Sequence, residues 1–178
     1  MSFKFLKLVI VSSPIGYVGS GKGGGVEITL VSLIRGLISL GHKVILIAPE
    51  GSFLPSDCSN VEIRYVSGID QTSLQHQEYI GPVEIPYNGI LPKLLEEAFI
   101  IGKNSDAILN LSYDWLPIWI SKFIDIEVFH LISMGNVSKV MKDVIKDIHR
   151  TNSYKFAFHT YRQACDYQLE EKPIIVGN

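Results

Sequence analysis

The residues best suited to chemistry are Ser20-Gly21-Lys22-Gly23-Gly24-Gly25-Val26-Glu27. They follow an apolar segment at residues 6–11 and open a stretch of helical periodicity at residues 26–40. A glycine-rich turn between a strand and a helix can hold phosphate. The backbone comes close to the anion, and the first N–H groups of the helix lack intrahelical acceptors. The helix dipole adds roughly 0.3–1 kcal/mol for a negative group there, and Lys22 brings a mobile positive charge. The plainer alternative is a flexible surface loop. Four glycines in positions 21–25 cost chain entropy unless something requires a bare backbone.

Two familiar phosphate motifs nearly fit. Gly16-x-x-x-x-Gly21-Lys22 has P-loop spacing, but Gly23 stands where a Ser or Thr would bind Mg²⁺. Gly19-x-Gly21-x-x-Gly24 matches the dinucleotide fingerprint, with Glu50 after the second strand as a ribose-binding acid. Residues 12–18, however, separate its first glycine from the strand. A looser sugar-nucleotide loop ranks above both.

The elements that must position this loop alternate. Continuous Val/Ile/Leu/Phe runs predict strands at residues 6–12, 43–48, 61–66, 107–111, 126–132, 155–159 and 174–176. Runs of that kind belong to a parallel sheet covered by helices on both faces. Helices are predicted at residues 26–40, 92–101, 115–123 and 136–149. The fold class is therefore α/β, a Rossmann-like doubly wound parallel sheet forming one domain over residues 1–178. Residues 67–90 show little regular pattern. A loop this long is often functional, and it carries Gln71, His76, Gln77, Glu78, Tyr79 and Tyr87, a set suited to a flat polar molecule. Disorder or a crossing segment is the duller reading.

Composition excludes several classes. With 19% charged residues and a formal net charge of −2, the chain has no basic footprint for nucleic acid. Cys58 and Cys165 have no CxxC or Cys/His companions and read as idle thiols of a reducing cytosol. Lys7 interrupts the apolar N-terminus and no small-residue cleavage site follows, so a first strand fits better than a signal peptide. No segment approaches the roughly 20 apolar residues of a membrane span. A cytoplasmic protein is expected, and an assembly with further copies of itself stays open.

Lys22-Gly23-Gly24-Gly25-Val26 resembles the K-x-G-G-[LV] loop of bacterial glycogen and starch synthases. Gly24-Gly25-Val26-Glu27 resembles the G-G-x-E loop of family 4 retaining GT-B glycosyltransferases. Gly41-His42-Lys43-Val44, Tyr113-Asp114-Trp115-Leu116 and Ile174-Ile175-Val176-Gly177-Asn178 resemble later segments of the same N-terminal domain, in order along the chain. A narrower similarity is to enzymes that transfer glucose from UDP-glucose to tetrahydrobiopterin. It rests on residues 19–27, on Tyr113-Asp114-Trp115-Leu116-Pro117, and on Leu131-Ile132-Ser133-Met134-Gly135.

The resemblance implies the acceptor-side half of a two-domain transferase. Its co-substrate would be a UDP-sugar, UDP-glucose by the narrower similarity, with a pteridine as small acceptor. Neither metal nor further cofactor is implied, because fixed Lys/Arg and helix-terminal amides balance the leaving diphosphate. Lys22, Gly23, Gly24, Gly25 and Glu27 would form the donor loop, with Glu27 reading first as a structural acid in the first helical turn. Asp114 would sit at a strand's carboxyl end, with capping of the next helix as its alternative role. The family histidine corresponds either to His130 or to the position of Ser133. His76, Tyr79, Tyr87, Tyr113 and Trp115 are the acceptor-side candidates. The donor-binding C-terminal half, in cis or in trans, is absent here, Asn178 falls at the expected hinge, and this chain alone should turn over nothing. Two other classes stand as alternatives: a non-catalytic nucleotide-binding module or half of a split enzyme, and an NAD-dependent oxidoreductase domain.

Overall fold

The computed structural model describes residues 4–177. Phe3 of the apolar N-terminal run and Asn178, the expected hinge, lie outside the described residues. Strands and helices alternate: β1 (Lys7–Val11), α1 (Gly25–Ser39), β2 (Lys43–Pro49), β3 (Glu62–Val66), α2 (Ile90–Gly102), β4 (Ala107–Asn110), α3 (Trp115–Ile120), β5 (Val128–Ile132), α4 (Lys139–Asn152), β6 (Phe156–Phe158), α5 (Tyr161–Cys165) and β7 (Ile174–Ile175). All strands pair in parallel within one seven-stranded sheet of order β3-β2-β1-β4-β5-β6-β7. This is an α/β Rossmann-like fold. The order reverses between β1 and β4, the switch point where open α/β sheets leave a crevice beyond the carboxyl ends of their strands.

β1 shows why its run reads as buried. Ile10 packs with Leu30 and Ile34 of α1 on one face. Val9 and Val11 pack with Leu94 and Ala98 of α2 on the other. Val9, Ile10 and Val11 are each 0% exposed, and each contributes about 1.5–3 kcal/mol by burial. A third cluster joins α3 and α4 to β5 and β6 through Ile118, Met141, Ile145, Phe156 and Phe158. The register sets Val11 opposite both Ile47 and Asn110, and Asn110 opposite His130, so the carboxyl ends of the central strands lie along one edge.

Two boundaries, one further helix and one loop differ from the sequence expectation. α4 starts at Lys139 rather than residue 136, because Ser138 is extended at φ −148. α3 ends at Ile120, short of residue 123. The short α5, absent from the sequence expectation, is capped by Thr160, whose side chain accepts the Gln163 N–H. Residues 67–90 are not structureless: Ile69 and Gly89 form a bridge that closes the neck of the loop. Within it Leu74–His76 form a 3-10 turn, and Leu74, 3% exposed, is anchored in the α3/α4 core. Cys58 is buried and Cys165 exposed, both free thiols.

Candidate ligand-binding site at the switch point

A cavity of about 590 Å³ opens at the carboxyl ends of β1, β4, β5 and β6. One wall is the loop between β1 and α1, and here Glu27 has an organising role. Its carboxylate accepts N–H groups from Gly23 at 2.7 Å, Gly19 at 2.9 Å and Gly21 at 3.3 Å, and the Ser20 hydroxyl at 3.2 Å. Burial pushes the Glu27 carboxyl up, but these donors outweigh it and hold it below the ordinary value. Gly23 must be bare, since a Cβ there would lie 2.7 Å from Glu27 Cγ. Gly24, at φ 52 and ψ −127, occupies backbone space that side chains avoid.

Gly25 is different. Its φ is not in the left-handed range and, its chain neighbours and the adjoining backbone of α1 aside, no protein atom lies within 4 Å of the position a Cβ would take. Its N–H, first in α1, makes no hydrogen bond among the described residues. It lines the cavity beside Lys22, Gly23 and Gly24. Nothing inside the protein asks for glycine at this position.

The opposite wall is built on a hydrogen-bond network. Gln163 Nε2 donates to the carbonyls of Ile132 at 2.9 Å and Met134 at 2.8 Å, while its Oε1 accepts the His159 N–H at 2.9 Å. The Tyr167 hydroxyl reaches Met134 O at 2.9 Å, the Tyr113 hydroxyl reaches Gly135 O at 2.8 Å, and the two hydroxyls lie 2.7 Å apart. Two phenolic protons thus serve three contacts. Burial raises both phenols, Tyr113 to about 12. The loop 133–135 is held from the segment after β4, from α5 and from the turn after α5.

Among the residues expected at the site, Lys22, Gly23, Gly24, Gly25, Tyr113 and Ser133 line the cavity. The others lie elsewhere. Glu27 stands behind the loop, its oxygens taken up by the loop's own amides. Asp114, 0% exposed, caps α3 through the Leu116 N–H and accepts Gln71 Nε2 at 2.9 Å; burial raises its carboxyl. It lies one layer behind the cavity, which Gln71 itself lines. His130 is a core residue, 2% exposed, with Nδ1 beside Asn110 Nδ2 and Nε2 beside the Ser121 hydroxyl, both at 3.2 Å. Burial lowers it to about 3. It does not line the cavity, whereas Ser133 does.

The acceptor-side set also separates. Trp115 packs against the α3/α4 core and meets Trp119 edge-on at 6.3 Å. The Tyr79 hydroxyl accepts from Asn136 Nδ2 at 3.0 Å, its ring lying outside the cavity. Tyr87 is 95% exposed, and His76 is exposed at the end of its turn. In their place the cavity has Gln71, Gln75, His159, Thr160 and Gln163. His159, Thr160 and Gln163 carried no family motif; the only available signal was Thr160-x-x-Gln163, a helix-capping pattern. Among the described residues no three His, Cys, Asp or Glu side chains group as metal ligands. No helix there is long and apolar enough to cross a membrane.

No family model matches this chain, and no curated protein does. Among solved structures, the chain is similar to a short chain dehydrogenase from Leptospira borgpetersenii serovar Hardjo-bovis (strain JB197) with bound NAD+. The two are 13% identical with a TM-score of 0.41, over 94% of this chain and 79% of that one. A likeness of that size carries no argument about ligand or activity.

Proposed function

We propose that this domain binds the diphosphate of a nucleotide sugar and forms the acceptor-side half of a retaining glycosyltransferase. UDP-glucose is the donor and a pteridine the acceptor in this reading, which follows the residue pattern of the loop. The observation that carries it is Gly25, which lines the cavity with Lys22, has open space where a Cβ would stand, and keeps an N–H that makes no hydrogen bond among the described residues. A departing diphosphate gains negative charge, and a fixed amide with a mobile ammonium beside it stabilises that change.

The Glu27 contacts also bear on the choice of nucleotide. A dinucleotide site of the usual kind offers its loop amides to pyrophosphate, whereas Glu27 takes three of them here. Glu50, the acid that NAD would need at its ribose, accepts the Ser67 hydroxyl at 2.5 Å and does not line the cavity.

The test is a titration of the isotope-labelled chain with UDP-glucose and, separately, with NAD+, read by amide chemical shifts. UDP-glucose should move Lys22 and Gly25. Lys22→Ala should weaken it by about tenfold or more, as expected for one lost contact to a charged group, and Gly25→Ala should weaken it because its methyl group, though it keeps the N–H, blocks close approach. Preferential binding of NAD+ with shifts at Glu50 would overturn this reading in favour of the oxidoreductase alternative. Saturable binding of other nucleotides without a sugar, equal to UDP-glucose, would favour a nucleotide-binding module.

A further inference from the structure

The two faces of the sheet are covered unequally. α2, α3, α4 and α5 all pack on one face, against Val9, Ile108, Val128, Phe156 and Phe158. On the other face α1 covers β1 and β2, with Leu30 and Ile34 against Ile10 and Leu46. Among the described residues no helix covers β4 to β7 on that side. Leu109, Phe129, Leu131, Ala157 and Ile174 form the floor of an open groove of about 280 Å³ there, and Leu33 of α1 is its side wall. The register sets Leu109 beside Phe129, and Leu131, Ala157 and Ile174 in one row across three strands. Lys155, at the rim, is paired with Glu127 at 3.4 Å. Four strands spaced about 4.8 Å apart make the floor about 14 Å wide, room for one helix about 10–12 Å across.

α1 has the matching surface. A helix with one side in water ordinarily carries charge there. α1 has two charged side chains, and both are engaged: Glu27 by the loop amides and Arg35 by Asp57 at 2.6 Å. From residue 28 on, its other exposed positions are Ile28, at 71%, Ser32, Gly36 and Ser39, followed by Leu40. Gly36 has no positive φ. Apart from its chain neighbours and the backbone of α1, nothing lies within 4 Å of where its Cβ would stand. Glycine weakens a helix interior, and here it leaves room for a second helix to come close. Gly36 follows Leu33 by three positions, on the flank beside the groove.

One sheet face thus offers an apolar slot without a helix and a helix without a partner on its outer side. We propose that two copies of this chain pair through this face about a two-fold axis along the strands, the α1 of each filling the groove of the other. The two helices lie side by side between the two sheets, with Leu33 and Gly36 next to the axis, in an isologous contact. The area suffices. Half the circumference of α1 over about 22 Å gives about 350–400 Å², and the floor adds about 200 Å². Both copies together bury about 1,200 Å², where stable interfaces begin. This pairing does not depend on the ligand of the cavity.

Sedimentation velocity of the full chain over a range of concentrations tests it. Wild type should pass from a 19.9 kDa species to one of twice that mass as concentration rises. Ile28→Glu sets a charge against the partner's sheet and should weaken the dimer by about tenfold or more, as for a buried charge left unpaired. Gly36→Gln puts bulk between the two helices and should weaken the dimer as well. It should nevertheless raise the urea midpoint of the dilute monomer, because glutamine favours helix over glycine; a folding defect would lower it. Ile80→Glu, the same change at an exposed residue of the 67–90 loop, should leave the dimer as it is. A chain that stays monomeric at every concentration would overturn the proposal and leave the groove to a different partner. A dimer that neither α1 variant weakens, or that Ile80→Glu weakens as much, would overturn it by placing the contact on another surface.

Discussion

Glu27 Oε1 accepts the Gly23 N–H at 2.7 Å, and the Glu27 side chain occupies the space a Gly23 Cβ would need. The glycine and the acid four residues on thus form one device. The carboxylate fills the concavity of the loop from inside, and of the amides that follow, Gly24, Val26 and Glu27 donate to loop carbonyls while the Gly25 N–H stays unpaired among the described residues.

Glu27→Gln tests that device. The amide offers a single acceptor oxygen and sets NH₂ against N–H donors. Stability in urea should fall by about 1–3 kcal/mol, the scale for a lost charge-assisted contact. Hydrogen exchange at Gly19, Gly21 and Gly23 should quicken. The pH sign follows from the lowered carboxyl. A group depressed on folding contributes fully above its unfolded value, 4.5 here, and loses that contribution as pH falls through the folded value. Wild type should therefore show an acid limb below that point which the glutamine variant lacks.

Gly24→Ala and Gly25→Ala, adjacent and chemically alike, should behave oppositely. Gly24 sits at φ 52 and ψ −127, so alanine there should cost about 1–3 kcal/mol. Gly25 has no such strain and open space around it. Alanine there should leave stability unchanged or raise it by up to about 1 kcal/mol through helix propensity. Thermal melts of the two variants, set beside UDP-glucose titration, separate a glycine the fold requires from one the ligand requires.

Much of the frame was legible because each central strand is a continuous apolar run buried on both faces, as Val9-Ile10-Val11 shows. The glycine loop was legible as well, since its position between β1 and α1 depends only on local pattern. The far wall was not. Tyr113 and Tyr167 meet across 54 residues of sequence, and Gln71 and Asp114 across 43. Neither pair leaves a periodic signal. His76, Tyr79 and Tyr87 pointed elsewhere because Leu74 anchors the 67–90 loop by its apolar side and turns those polar residues outward. His130 read as a site candidate through the family resemblance; its strand register sets it opposite Asn110 and Phe156, inside the sheet.

Tyr113→Phe should loosen the loop that presents Ser133. It removes a contact to Gly135 O and one to the Tyr167 hydroxyl, with an expected loss of about 1–2 kcal/mol. Tyr167→Phe should cost a similar amount, and the double variant less than the two combined, because the hydroxyls share their protons. A double-mutant cycle by urea unfolding measures the coupling. Strict additivity would show that the two phenols act independently.

Acid stability above the Glu27 limb should be set by two buried histidines. His149 is 0% exposed, with neither ring nitrogen partnered, packed 5.7 Å from Phe156 and 6.1 Å from Phe158 by ring centroid. Burial lowers its pKa, partly opposed by Glu171. Burial also lowers His130, to about 3, with Lys155 adding to the effect. Both are folded as neutral rings, whereas the unfolded chain takes up a proton near 6.5. Their contribution is therefore complete above that value and declines as pH falls toward the folded values, by at most about 1.4 kcal/mol per pH unit for each ring. Urea midpoints measured stepwise from pH 7 down to 4.5 (the unfolded value of Glu27) should fall for wild type. The slope should shrink in His149→Leu, which fills the same apolar site without a proton acceptor. Glu27→Gln should leave that slope as it is. A His149→Leu variant as acid-sensitive as wild type across this window would mean that His149 reaches water before the domain unfolds.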